Sequence, residues 1–291
     1  MTYCLGITTR FGLVMASDSR TNAGYDQVNV CQKMYTFVTP GERVFVLLAS
    51  GSLSCTQSVM TLLRREYELG RGLATAPTMY DAARVVGEQV RKVADLDRAA
   101  LERDEYKFNV NLILGGEVKG EPHGLFLIYP QGNPLQATVD SPFLQIGESK
   151  YGRPILDRGI RYDHTTLEEA SKYALLSLDS TMKSNVTVGP PIDLLVYEAG
   201  ELDVVRQRRF LENDPDLIKI RTRWQQALRH AVARLPNIRL KSKAGAGNGE
   251  AKDQSIQFVE PPPEAEGAAQ QMAQGRVTDR NPKPETRMTN Q

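Results

Sequence analysis

Residues 43–51 read Arg43-Val44-Phe45-Val46-Leu47-Leu48-Ala49-Ser50-Gly51, and the five consecutive large apolar residues in this run decide the fold. Successive side chains of a strand point to opposite faces, so a strand with one face in water alternates apolar and polar residues. An unbroken apolar run of strand length belongs to a strand covered on both faces. Pro40-Gly41 ahead of the run and Gly51 behind it set that length. The sheet carrying it must therefore lie between two other layers.

Outward from this strand the pattern is β on one side and helical on the other. Residues 2–8, 13–17 and 28–38 are further apolar-rich runs, separated by Phe11-Gly12 and Asn22-Ala23-Gly24, as expected of antiparallel hairpins. Residues 52–69 place Cys55, Val59, Leu62, Leu63 and Tyr67 near one helical face, and residues 79–101 do the same with Ala82, Val86, Val90, Val93 and Leu96. Thr78, with Asp81 three residues later, marks the start of the second helix. Strands return at 108–115, 124–129 and 136–146. Helices follow at 150–160 and from Thr165 or Thr166 to about 183, where Glu168 and Glu169 complete a capping box for one threonine or the other. A hairpin over 191–198 and 202–210 and a last helix behind Pro215 close the pattern. Runs of strands followed by helix pairs, without strict βα alternation, predict an α+β chain with mainly antiparallel sheets. The expected architecture is a four-layer αββα sandwich, two stacked sheets between two helical layers.

Composition narrows the function. With 36 Lys+Arg against 35 Asp+Glu in 291 residues, the chain lacks the basic excess on which non-specific nucleic-acid binding leans. No apolar run approaches the ~20 residues of a membrane-spanning helix, and the start lacks the basic and apolar regions of a secretory signal. Cys4, Cys31 and Cys55 are odd in number and widely spaced, which suggests neither disulfides nor zinc and fits a reducing cytoplasm. His123, His164 and His230 have no metal-ligand spacing, and no phosphate-binding G-x-x-x-x-G-K-[ST] loop is present, so no cofactor or metal is expected. From residue 241 the chain turns to Ala, Gly, Gln, Pro, Glu and Lys, with seven Lys/Arg against seven Asp/Glu. Residues 1–240 are read as one folded domain and 241–291 as a disordered tail, too poor in large apolar residues to offset its ordering entropy.

Four elements carry the chemistry. Thr2 becomes the first residue if Met1 is removed; its α-amine, with a pKa of ~7.7–8.0, can then accept the proton of its own Oγ, joining nucleophile and base in one residue. Taken alone, Thr2 is also simply a small residue opening a first strand. Asp18, in Ser17-Asp18-Ser19-Arg20, ends an apolar run, where a carboxylate requires a partner; Arg20 and Lys33 are the candidate cations. Lys33 is the one cation in 28–38 and would stabilise negative charge developing on a nearby hydroxyl. Gly51, at a strand-to-helix joint, allows close backbone approach and offers an N–H to an oxyanion.

Together, Thr2, Asp18, Lys33 and Gly51 resemble the active-site pattern of proteasome β-subunits and the bacterial HslV peptidase, members of the N-terminal-nucleophile hydrolases. Residues 17–24, Ser-Asp-Ser-Arg-Thr-Asn-Ala-Gly, and 146–158, Ile-Gly-Glu-Ser-Lys-Tyr-Gly-Arg-Pro-Ile-Leu-Asp-Arg, are more closely similar to the Anbu branch, the "ancestral β-subunit". The resemblance implies that Thr2 Oγ attacks a carbonyl with its α-amine as base, Lys33 polarises, Asp18 orients Lys33, and Gly51 N–H meets the oxyanion. Of the supporting residues it implies, Ser149 is the nearest match to a serine near the threonine amine. Asn185 falls where the family carries an aspartate and Val188 where it carries a serine, so Asn185 can contribute hydrogen bonding alone. The resemblance further implies a homo-oligomeric ring or spiral acting on peptide or amide bonds, served by a separate ATPase or a peptide-ligase-like partner. Transfer of the acyl group to a small amine is the alternative reaction on the same fold. A silent ring scaffold is the other alternative, against which intact Thr2, Asp18 and Lys33 argue.

Overall fold

A computed structural model of the chain describes residues 2–22, 28–204 and 206–238. The expected turn at Asn22-Ala23-Gly24 lies partly, and the tail 241–291 wholly, outside the described residues. The chain divides into Met1–Gln226 and Ala227–Gln291. Of the second unit residues 227–238 are described, and they expose Leu228, Val232 and Leu235.

The first unit holds two five-stranded antiparallel sheets. β1 (Tyr3–Thr9) and β2 (Gly12–Asp18) form a hairpin at the centre of one sheet, flanked by β10 (Phe143–Gly147) on one side and β11 (Ile192–Glu198) and β12 (Arg206–Phe210) on the other. The second sheet runs in the order β5 (Met34–Thr39), β6 (Arg43–Gly51), β7 (Val110–Val118), β8 (Gly124–Ile128) and β9 (Pro134–Gln136). β3 (Arg20–Asn22) and β4 (Val28–Val30) pair as a separate ribbon.

The run that opened the analysis occupies β6, and its side chains divide by parity. Val44, Val46 and Leu48 enter the core between the sheets with Cys4, Met15 and Ile113. Phe45, Leu47 and Ala49 enter the core under α1 (Leu53–Glu68) and α2 (Met79–Arg103), against Val59, Leu63, Val86 and Val90. On the outer face of the other sheet, Leu5, Ile7, Val14 and Ala16 pack on α3 (Arg153–Gly159) and α4 (Leu167–Ser184) and meet Leu217 of α5 (Pro215–Ala233). Four layers, αββα, result as expected. Thr78 Oγ1 accepts from Asp81 N at 3.1 Å, and Thr166, not Thr165, forms the reciprocal capping box with Glu169. Thr165 instead accepts from Arg161 N. No helix among the described residues is long and apolar enough to cross a membrane.

Two expected strands are each divided between sheets. Residues 28–38 split at 31–33, so that β4 joins the ribbon and β5 the second sheet; Cys31 N donates to Ser19 O, which holds the break in place. Residues 136–146 split because Thr138 and Ser141 exchange backbone hydrogen bonds in a turn ahead of Pro142, sending β9 to β8 and β10 to β1. In both cases a local run of strand-forming residues is overruled by the need to feed two sheets.

α2 lies against the turn at Gly132 so closely that a Cβ on Gly87 would sit 1.9 Å from the Gly132 carbonyl oxygen. Gly87→Ala is expected to lower the unfolding free energy by about 3 kcal/mol, the upper end of the cost of overpacking, read as a lower urea midpoint.

Candidate active site

Thr2 stands just ahead of β1, which lies between β10 and β2 in its sheet, and is held by its neighbours' backbone. Its carbonyl accepts from Glu148 N at 2.8 Å, and the next peptide N–H, Tyr3 N, donates to Asp18 Oδ1 at 3.0 Å. Gly147 pairs with Tyr3 and has φ +84°; a Cβ there would lie 1.8 Å from Thr2 O. Only glycine permits this approach. Tyr3 is itself fixed from behind, its hydroxyl 2.6 Å from Ser177 Oγ of α4, and burial pushes the phenol up to about 12, so it stays protonated.

Asp18 ends β2 with no exposed surface and receives three donors: Tyr3 N and Lys33 Nζ, 2.7 Å away, on Oδ1, and Gly189 N at 3.2 Å on Oδ2. Lys33, 4% exposed, also donates to Arg20 O at 2.5 Å. Burial raises the Asp18 carboxyl above the ordinary range, while the Lys33 ammonium and the two N–H groups oppose that rise. Of the two candidate cations the structure selects Lys33. Arg20 turns away and donates to Val186 O at 2.7 Å.

Gly51 is the last residue of β6. Ala49 N donates towards β5, to Lys33 O, and Ser52 N donates towards β7, to Asn109 O. By strand alternation Gly51 N faces the same side as Ala49 N, beyond the point where β5 begins, and so points at the space beside Lys33. Its φ of +119°, and a hypothetical Cβ 2.1 Å from Asn109 O, exclude a side chain. Thr2, Lys33 and Gly51 line one cleft, whose walls include Thr21, Cys31 and Ala49. Burial raises the Cys31 thiol, more than nearby Lys33 lowers it, so it remains a thiol at neutral pH and a poor rival nucleophile.

The two supporting residues are placed differently. Ser149 follows Glu148 on the turn leaving β10, and its N–H donates to Gly147 O; it does not line the cleft. Asn185 caps the end of α4, and its Oδ1 accepts from Thr187 N and Thr187 Oγ1, so that oxygen is engaged locally. Val188 is buried in apolar contacts. Sequence reasoning missed the two glycines that close on the site, Gly147 and Gly189. It also missed Asp193, which is 3% exposed and accepts from Ser19 Oγ at 3.3 Å and from Arg209. Asp193 had a readable signal, a lone carboxylate inside the apolar run Ile192–Val196. Among the described residues no three His, Cys, Asp or Glu side chains converge as a metal ion would need.

The chain is similar to known proteins in sequence and fold. A family model described as proteasome subunit fits residues 2–197. The chain is similar to the structure of an Anbu (Gly-1) mutant from Hyphomicrobium sp. strain MC1, with 45% identity and a TM-score of 0.77 over 82% of this chain and 100% of that one. It is equally similar to the Anbu complex of Pseudomonas aeruginosa, solved as a helical assembly, with 44% identity and a TM-score of 0.77 over 81% of this chain and 98% of that one. A curated relative, proteasome subunit beta of Haloferax volcanii, is 27% identical over 210 residues, 72% of this chain and 78% of that protein.

Lys33→Ala leaves the Asp18 carboxylate buried without its cation, which is expected to cost about 3–5 kcal/mol of stability at pH 7. The folded-state pKa of Asp18 is raised, so this group's contribution is complete below the unfolded value, ~3.9, and is lost as pH rises through the folded one. Removing Lys33 raises that folded value further. The deficit of the variant against the parent should therefore shrink from pH 7 towards pH 4 in denaturant titrations.

Proposed function

Because the chain belongs to the proteasome subunit family, in its Anbu branch, we propose that it is a threonine hydrolase that cleaves peptide or amide bonds from an N-terminal Thr2 exposed by removal of Met1. One observation carries the reading: Thr2 lines the same cleft as a buried Lys33 ammonium anchored on Asp18 and as an N–H of Gly51 that the β-ladder leaves facing inward. In the proposed reaction Thr2 Oγ attacks the scissile carbonyl while the Thr2 α-amine takes the Oγ proton; about a third of such amines are unprotonated at pH 7.5. Lys33 favours the charge developing on Oγ, and Asp18 with Arg20 O keeps the ammonium in place. Gly51 N–H donates to the carbonyl oxygen as it becomes an oxyanion, a contribution worth roughly 3–4 kcal/mol for one such donor. Collapse expels the leaving amine, which carries off the proton held by the Thr2 amine. The acyl ester left on Thr2 is then released by water.

The same reading takes residues 1–240 as the hydrolase domain and assigns the chain to a ring or spiral of identical subunits. The helical assembly of the Pseudomonas relative supports the second of these. Three free cysteines, Cys4, Cys31 and Cys55, support a reducing, cytoplasmic setting.

Intact mass of the purified chain treated with an epoxyketone or β-lactone probe tests the reading. Loss of one methionine and a single adduct are expected, with no adduct on Thr2→Ala; a retained Met1 and an unmodified chain would refute it, because Thr2 would then carry an amide in place of its base.

A further inference from the structure

Ser50 is a largely buried residue of the cleft whose hydroxyl the mechanism above does not use. It follows Val44, Val46 and Leu48 at strand spacing, and those three side chains cross into the core between the sheets, where they meet Cys4 and Ile146 of β1 and β10. At the cleft end of that core the facing residues are Thr2 and Gly147. Ser50 Oγ lies 3.4 Å from the position a Cβ on Gly147 would take, and that same position is 1.8 Å from the Thr2 carbonyl oxygen. The side chain is 8% exposed and shares the cleft wall with Thr2 and Lys33. Ser19 is engaged with Asp193 and Ser177 with Tyr3, while Ser17 Oγ, buried without a partner beside Asp18, does not line the cleft. Ser50 Oγ has no hydrogen-bond partner among the described residues. Lining the cleft, this hydroxyl is open to a polar group that arrives there.

We infer that Ser50 is a positioning residue for the nucleophile, its hydroxyl accepting a hydrogen bond from the Thr2 amine once Met1 is gone. The inference rests on the threonine-hydrolase reading and supplies what that reading otherwise lacks, since Asn185 Oδ1 is engaged by Thr187 and Val188 has no hydroxyl. An acceptor beside the amine favours its protonated form and aims the lone pair of the neutral form at Oγ. Removing it therefore lowers the amine pKa and slows proton transfer from Oγ.

The test follows β-lactone adduct formation on Thr2 of the full chain by mass, from pH 5.5 to 9, with the adduct located by peptide mapping. Ser50→Ala should lower the plateau rate about 10- to 100-fold, within what a positioned proton acceptor contributes, and move the acid limb of the profile to lower pH. Ser50→Cys keeps the volume but bonds weakly and should behave as Ser50→Ala; it decides alone if the alanine variant does not fold. Wild-type rates in the folded variants, or slower rates with an unmoved acid limb, would overturn the inference and leave the threonine hydrolase standing. A parent chain that takes no adduct removes both.

Discussion

The pair of charges buried at the end of β2 is the constraint around which the first unit is arranged. Asp18 has no exposed surface and Lys33 almost none, so each depends on the other and on backbone groups that complete its hydrogen bonding. Those groups come from far apart in the chain: Tyr3 N beside the nucleophile, Arg20 O on the ribbon, and Gly189 N after α4. A buried ion pair is weak evidence for stability, since apolar residues of similar volume often do as well. In the proposed function the pair supplies a fixed positive charge at that point. The interruption of 28–38 follows from the same need, because the link 31–33 brings the ammonium inward to the end of β2.

The cleft is bounded by the ends of both sheets, Thr2 ahead of β1 in one and Gly51 at the end of β6 in the other. Much of its geometry is set by main-chain atoms. Gly147 lets the Thr2 carbonyl approach, and Gly51 turns the strand into α1 with its N–H inward. Behind these, side chains fix positions without entering the cleft. Tyr3 ties β1 to α4 through Ser177, and Asp193 ties Ser19 to Arg209 across β2, β11 and β12.

The layers were legible in the sequence because burial on both faces leaves a mark that survives in one dimension: β6 does not alternate. Helix starts at Thr78 and at Thr165 or Thr166 were legible because a cap is a local contract between residues three apart, though the choice of Thr166 needed the structure. Strand allegiance was not, since nothing in residues 28–38 or 136–146 says that their two halves belong to different sheets. The site divided the same way. Asp18, Lys33 and Gly51 each violate a local rule, a charge or a glycine where an apolar strand is expected, and so announce themselves. Gly147 and Gly189 look like any loop glycine until the approach of Thr2 or of Arg20 is known. Ser50 looks like any small residue at a strand end until its parity within β6 is fixed.

The position of β1 governs when the site can exist during synthesis. Thr2 is made before the strands that hold it, since β1 is bonded to β10 at Gly147 and β2 to β11 at Ile192. Contacts of such long sequence separation form late, after the intervening chain has been made and its loop entropy overcome. Thr2 O cannot receive the N–H of Glu148 until about half of the chain has emerged, nor Asp18 that of Gly189 until about two thirds has. A nascent chain therefore carries Thr2 without the surroundings that the proposed function requires of it, and the order of synthesis delays the completed cleft until the domain is whole.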